Sequence, residues 1–133
     1  MILEVNELKQ KIIESLNNQY DRIMFYVKDK NFSRFKELYE KYKIDPEVKD
    51  KEGNSLLSLA VQSNSFSIVN YLLNAGSFVN TQNNSDNTPL HYALSVHNFE
   101  IADMLIQRGA DEKLRNNMGR TPWQCLDKGL SII

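Results

Sequence analysis

Asn87-Thr88-Pro89-Leu90-His91-Tyr92-Ala93 decides how this chain is read, because the same pattern returns at a fixed interval. Thirty-three residues earlier stands Asn54-Ser55-Leu56-Leu57-Ser58-Leu59-Ala60, and thirty-three later Arg120-Thr121-Pro122-Trp123-Gln124-Cys125-Leu126. Two equal offsets across three segments are the mark of a stacked-repeat architecture. Locally the pattern reads as a helix start. Thr88 or Thr121 offers a hydroxyl to an orphan N–H of the first turn, and proline follows where its missing N–H costs nothing.

Working outward, each copy is followed by a second apolar stretch. In residues 54–86 the first helix is expected from Ser55 to about Ser63 and the second from about Phe66 to Asn74. Gly76 then stands where a left-handed cap favours glycine. The polar run from Asn80 to Asn87 is expected to be an exposed turn or hairpin. Residues 87–119 repeat the plan: Ala93 aligns with Ala60, Phe99 with Phe66, Ile101 with Ile68, Leu105 with Leu72 and Gly109 with Gly76. Residues 120–133 supply only a first helix and an apolar tail. Trp123, Leu126, Leu130, Ile132 and Ile133 read either as a cap over the preceding repeat, which we favour, or as a sticky surface.

Towards the N-terminus the period loosens. Residues about 2–18 place Leu8, Ile12 and Leu16 on one stripe with Val5 and Ile13 beside it, an amphipathic helix. Asn17-Asn18 is the expected interruption, with Asp21 a candidate cap for a second helix through Ile23, Met24 and Val27; one continuous long helix is the alternative. Asn31 begins a third, with Phe35, Leu38, Tyr39 and Tyr42 on one face and Asp45-Pro46 as its stop. A one-residue gap aligns Phe32, Phe35 and Leu38 with Phe66, Val69 and Leu72. This segment therefore reads as a degenerate end repeat, whose outer face meets water.

These residues resemble the ankyrin repeat. Thr88-Pro89-Leu90-His91 with Ala93 is similar to that family's signature, and Leu72-Leu73-Asn74-Ala75-Gly76 and Ile106-Gln107-Arg108-Gly109-Ala110-Asp111 to its second-helix ending. Ser55-Leu56-Leu57-Ser58 lacks the proline and histidine, Thr121-Pro122-Trp123-Gln124 lacks the histidine, and Asn64 and His97 replace the usual glycine. The resemblance implies an all-α solenoid of stacked helix-turn-helix-loop units. Its divisions are an N-terminal helix (1–20), a degenerate repeat (21–53), two full repeats (54–86 and 87–119) and a half-repeat cap (120–133), one domain in all. It also implies that His91 ties one loop to the next through backbone or the Thr88 hydroxyl.

Composition narrows the function. Net charge is −1 with 25% charged residues, so no strong basic field invites nucleic acid or an acidic membrane. The lone Cys125 allows no intrachain disulfide and argues against a cysteine-based metal site. The N-terminus carries acids where a signal peptide would carry bases, and no continuous apolar run spans a membrane. A cytoplasmic protein is expected, with export by a route lacking a cleaved N-terminal signal left open. Each of the five glycines has a structural place, so none builds a nucleotide loop. His91, His97 and Cys125 lack zinc spacing, and the acids are scattered singly. The sequons Asn31-Phe32-Ser33 and Asn83-Asn84-Ser85 carry no weight without a secretory signal. We expect no catalytic residue, no cofactor and no metal.

The resemblance further implies a non-catalytic module that binds another protein through loop tips and a concave face, itself a monomer. By the family's usual geometry the contact positions are Lys51, Glu52, Asn54, Gln62 and Ser63; Asn84, Ser85, Asn87, Ser95 and Val96; and Asn117, Met118 and Arg120. This set contains no aromatic, so Met118, Arg120 and the amides carry it. Two alternatives stay open: an inhibitor or immunity protein neutralising a toxin or enzyme, and a fragment of a larger effector or scaffold.

Overall fold

A computed structural model describes residues 2–15 and 18–126 of the chain, with side chains for 4–9, 11 and 18–126. Among these residues there are seven α-helices, one 3-10 turn and no strand. The helices are α1 Ile2–Ser15, α2 Gln19–Lys28, α3 Phe32–Lys41, α4 Leu56–Gln62, α5 Phe66–Asn74, α6 Pro89–Ser95 and α7 Phe99–Gln107. The 3-10 turn spans Trp123–Leu126.

Two rows of helices build the stack. An inner row runs α2, α4, α6 and the 3-10 turn; an outer row runs α3, α5, α7. Each inner helix packs on its own outer partner and on the next inner helix, so every unit buries its apolar face against a neighbour. Leu56, Leu57, Ala60, Ile68, Val69 and Leu72 in one unit, and Leu90, Ala93, Leu94, Ile101 and Leu105 in the next, are fully or almost fully buried. At the N-terminal end Ile23, Val27 and Phe35 close the core. There Phe32, Phe35 and Tyr39 of α3 pack around Tyr71 of α5 with ring centroids 5.5–5.8 Å apart and near-perpendicular planes, the edge-to-face arrangement the ring quadrupole favours.

Caps explain where the helices begin. Ser55 Oγ accepts Ser58 N–H at 3.2 Å, and Asn98 Oδ1 accepts Ile101 N–H at 3.1 Å. The helix following Ser55 runs Leu56–Gln62 and that following Ser65 runs Phe66–Asn74, as the repeat pattern predicts. Gly76 and Gly109 take φ of +89° and +93° one residue past the C-caps.

Elsewhere the expectations need correcting. Asn18, not Asp21, caps α2: its Oδ1 accepts the N–H groups of Tyr20 and Asp21 at 2.9 and 3.0 Å. Asp21 lies in the first turn, where a carboxylate meets the positive end of the helix dipole. Helix α3 stops at Lys41 rather than at Asp45-Pro46, because Lys43 turns into the left-handed region at φ +49°. The extra residue of the degenerate repeat is absorbed inside α3. Its N-terminal end is offset by 34 from α5, yet Ile44 N–H bonds to Tyr39 O as Ser77 does to Leu72 and Ala110 to Leu105. Tyr39, not Leu38, thus takes the place of Leu72 at the C-terminal end. Tyr42 is exposed, with the Lys41 ammonium 5.3 Å from its ring centroid.

In α1, Val5 and Leu8 face solvent, so these two residues of the expected stripe are not core. The side chains of Ile12, Ile13 and Leu16 lie outside the described residues. Lys9 pairs with Asp29 at 2.9 Å. At the other end the expected first helix of the last unit is a single 3-10 turn. Trp123 is exposed and donates its Nε1–H to Glu112 at 2.8 Å, while Cys125 is buried. Residues 127–133, including Leu130, Ile132 and Ile133 of the proposed cap, lie outside the described residues.

Candidate protein-binding surface

Between each outer helix and the next inner helix the chain makes a hairpin-shaped loop. The loop is built by one side chain repeated every thirty-three residues: Asp50, Asn83 and Asn116. Each uses Oδ1 to accept two backbone N–H groups, from Glu52 and Asn54, from Ser85 and Asn87, and from Met118 and Arg120, at 2.8–3.0 Å. Each also closes the base of its loop through a backbone bond to residue 54, 87 or 120. The polar residues of these loops are turn-formers whose short amides and carboxylates substitute for backbone partners.

Successive loops are then tied together. Asn83 Nδ2 donates to Asn54 Oδ1, and Asn116 Nδ2 to Asn87 Oδ1, both at 2.9 Å. At the tips Asn84 N–H donates to Glu52 O and Asn117 N–H to Ser85 O at 2.9 and 3.0 Å. Asn83 and Asn87 are therefore buried, Asn87 to 1% exposure. The expectation of a wholly exposed run from Asn80 to Asn87 is corrected: the amides turn inward because they carry the register between loops.

This geometry sorts the thirteen expected contact residues. Lys51, Glu52, Asn84, Asn117 and Met118 are exposed on the tips, Met118 to 61%. Val96 and Gln62 are exposed at the far ends of α6 and α4, with Ser63 and Ser95 half-buried beside them. Ser85 and Arg120 are also half-buried. Asn54 and Asn87 are not surface positions at all. Asn54 accepts Gln62 Nε2–H at 3.0 Å as well as the Asn83 bond, so both asparagines belong to the scaffold. The tips and the Val96 end lie at opposite ends of the inner helices, so the set is not one cluster.

His91 is buried within this framework, as the tetrapeptide implied. Its Nδ1 accepts Thr88 N–H at 3.0 Å and lies 2.8 Å from Thr88 Oγ1, while Nε2 lies 2.9 Å from Arg120 O. Accepting at Nδ1 assigns the proton to Nε2, which donates to the carbonyl of the next unit. Burial holds the imidazole pKa below its ordinary value, and the bond to Arg120 O offsets part of that. The Cys125 thiol is pushed up by burial, partly opposed by the Arg120 charge, which is the condition of an inert core thiol. Among the described residues no group of three or more His, Cys, Asp or Glu is placed to hold a metal. None of the described helices is long and apolar enough to cross a membrane.

The family model described as ankyrin repeats (3 copies) matches residues 23–122. The chain belongs to the ankyrin-repeat family. No curated protein is similar enough to the chain to count as a match. Ankyrin repeats are in general protein–protein interaction modules, and the helix pairs and tied loops here are that architecture.

One exposed aromatic escaped the sequence reading. Among the described residues Phe78 is the most exposed of the large apolar side chains, at 71%. The signal was present, since Asp45, Phe78 and Asp111 share one repeat position. Between residues 54 and 99 the sole Asp, Glu, Lys or Arg is Asp86, so the surface of this ankyrin repeat is nearly free of charge.

Proposed function

We propose that the chain is a single ankyrin domain, divided at 20, 53, 86 and 119, that works in the cytoplasm as a monomeric, non-catalytic protein-binding module. Its contact surface is the row of loop tips with the adjoining concave face: Lys51, Glu52, Asn84, Ser85, Asn117, Met118 and Arg120. The observation that carries this reading is the pair of tip-to-tip bonds, Asn84 to Glu52 and Asn117 to Ser85. A surface held in register before contact loses little conformational entropy on binding. Gln62, Ser63, Ser95 and Val96 form the far margin of the same face, while Asn54 and Asn87 hold it from beneath. Met118 and Arg120 stand close together on the last loop, and arginine is among the residues that dominate interface energies.

The test begins with affinity capture from the native host, followed by calorimetry on the purified pair. Met118→Ala, with the circular-dichroism melt unchanged, and Arg120→Ala are each expected to weaken binding at least tenfold; the Arg120 carbonyl that receives His91 survives the substitution. Unchanged affinity in both variants moves the interface off the tips.

A further inference from the structure

The position shared by Asp45, Phe78 and Asp111 has a local job in two of the three repeats. Asp45 Oδ1 accepts Glu47 N–H at 2.9 Å, and Asp111 Oδ1 accepts Lys113 N–H at 2.8 Å. Each carboxylate thereby fixes its own turn. Phe78 cannot make this bond. The middle repeat gives up a turn-stabilising acid and places an aromatic ring in water instead. A residue that breaks the rule its neighbours keep, with no gain in packing, marks a surface kept for something other than folding.

Phe78 does not stand alone. With Val79, Asn80, Thr81 and Gln82 it lines a groove of about 490 Å³ whose other wall is Glu47 and Lys49 of the preceding loop. The polar groups of this groove are unequally committed. Glu47 Oε2 accepts Phe78 N–H at 3.0 Å. Asn80 spends both ends of its amide on the next repeat, donating to Gly109 O and accepting Asp111 N–H. Gln82 Nε2 donates to Asp86 O and Arg115 O. Lys49 enters no ion pair with any described residue. The groove thus offers an apolar wall, one uncommitted cation and the Thr81 hydroxyl.

We propose that this groove is a second binding site, which seats an aliphatic or aromatic side chain of a partner protein on Phe78 and Val79 with a neighbouring Asp or Glu side chain against Lys49. Hot spots seat an aromatic or aliphatic anchor in a desolvated pocket, and Phe78 with Val79 offers the apolar surface such an anchor needs. The repeat around Phe78 is nearly free of charge, so besides Lys49 the one ion on the groove lining is the Glu47 carboxylate, which the Phe78 N–H already engages. The acid comes from a side chain rather than a chain terminus. A terminal carboxylate is captured by free backbone N–H groups, and the Phe78 N–H is already held by Glu47. The inference rests on the reading of the chain as a protein-binding module but uses a different surface from the loop tips.

The test uses acetyl-Phe-Glu-amide as the probe, titrated into the full ¹⁵N-labelled chain. Saturable amide shifts are expected at residues 78–82 with a millimolar Kd. Acetyl-Phe-Gln-amide, or the Lys49→Gln variant, should bind at least threefold more weakly. Phe78→Asp should abolish the shifts while keeping the dispersed spectrum, because aspartate is what the flanking repeats carry at this position. Absence of saturable shifts at 78–82, equal affinity for the two peptides, or unaltered binding by Phe78→Asp overturns the proposal. Tighter binding of acetyl-phenylalanine with a free carboxylate overturns it too. Since no native partner is needed, failure here leaves the loop-tip reading untouched, and failure of Met118 and Arg120 to matter leaves the groove untouched.

Discussion

The junctions that follow the two full repeats use the same backbone and different side chains. Where residues 87–119 meet the last unit, His91 reaches across from its buried site to the Arg120 carbonyl. Where residues 54–86 meet 87–119, the same position is Ser58, equally buried, and its hydroxyl has no partner. Both junctions keep the asparagine rung and the tip-to-tip bond. The loops are therefore docked without the histidine; what the imidazole adds is a bond from the helix start itself. Both junctions also bury helix against neighbouring helix or turn; what differs is that at the helix start one has no side-chain bond to the next unit and the other has a buried ring.

The largest effect should come from truncating that ring. His91→Ala leaves a cavity and strands Thr88 N–H and Arg120 O, so a loss of about 3 kcal/mol is expected in urea unfolding. Ser58→Ala removes an unsatisfied buried hydroxyl and should be neutral or stabilising by up to about 1 kcal/mol. Equal losses at the two positions would mean that the junctions do not differ as described.

The next contrast reverses the junctions. Gly53 and Gly119 occupy one repeat position with φ of +77° and +74°. A Cβ on Gly53 would stand 2.5 Å from Asn84 Oδ1 and 3.0 Å from Asn84 N, against the tip that bridges the first junction, whereas one on Gly119 meets nothing within 4 Å. Gly119→Ala should cost only the left-handed penalty of about 1 kcal/mol. Gly53→Ala should cost about 2 kcal/mol, since it adds the displacement of Asn84 from a junction that has no imidazole in reserve. Thermal melts of the two variants, with the Asn84 amide followed by hydrogen exchange, measure the difference.

A smaller effect is readable without a large truncation. The folded pKa of His91 lies below its ordinary value, so the unfolded chain binds the proton more readily. The stabilisation is complete above the unfolded value of about 6.5 and is lost progressively as pH falls below it. Burial is the reason, since it strips solvation from the charged imidazolium; the geometry agrees with it, because Nδ1 already receives the Thr88 N–H and a proton there would set donor against donor. Urea midpoints between pH 7.5 and 5 should fall in the native chain and flatten in His91→Gln. No difference between the two would remove His91 as the source.

How much of this was legible in the sequence follows from which interactions are local. The 33-residue period was legible as a repeat, and the helices after Ser55 and Thr88 because caps depend on residues a few positions apart; the task of His91, which reaches the distant Arg120 carbonyl, followed from the resemblance to the ankyrin signature. The inward turn of Asn83 and Asn87 was not legible. An amide in a polar run looks solvated until the neighbouring loop supplies Asn54 or Asn116 at 2.9 Å. Asn54 and Asn87 were assigned to the contact surface by the ankyrin family's usual geometry, which does not show these side-chain ties. Phe78 was overlooked because an isolated phenylalanine in an apolar stretch reads as core, and only comparison with Asp45 and Asp111 reveals its position as one that faces water.

The smallest contrast concerns the turns between paired helices, at the end of the stack away from the loops. Asn64 and His97 hold equivalent positions there at φ +62° and +61°, where a Cβ is strained. They are not equivalent in what they return for that strain. Asn64 Oδ1 accepts a bond from Asn98 Nδ2 and so links one turn to the next, and asparagine tolerates the left-handed region better than most residues. His97 contributes an exposed ring lying edge-on to Phe99 at 6.0 Å, which solvent largely replaces. His97→Gly should therefore stabilise the chain by about 0.5–1 kcal/mol. Asn64→Gly should change it by about zero, relief of strain offsetting the lost bond. If both substitutions stabilise equally in thermal melts, the Asn64–Asn98 link contributes nothing, and the turns, unlike the loops, are stacked without being tied.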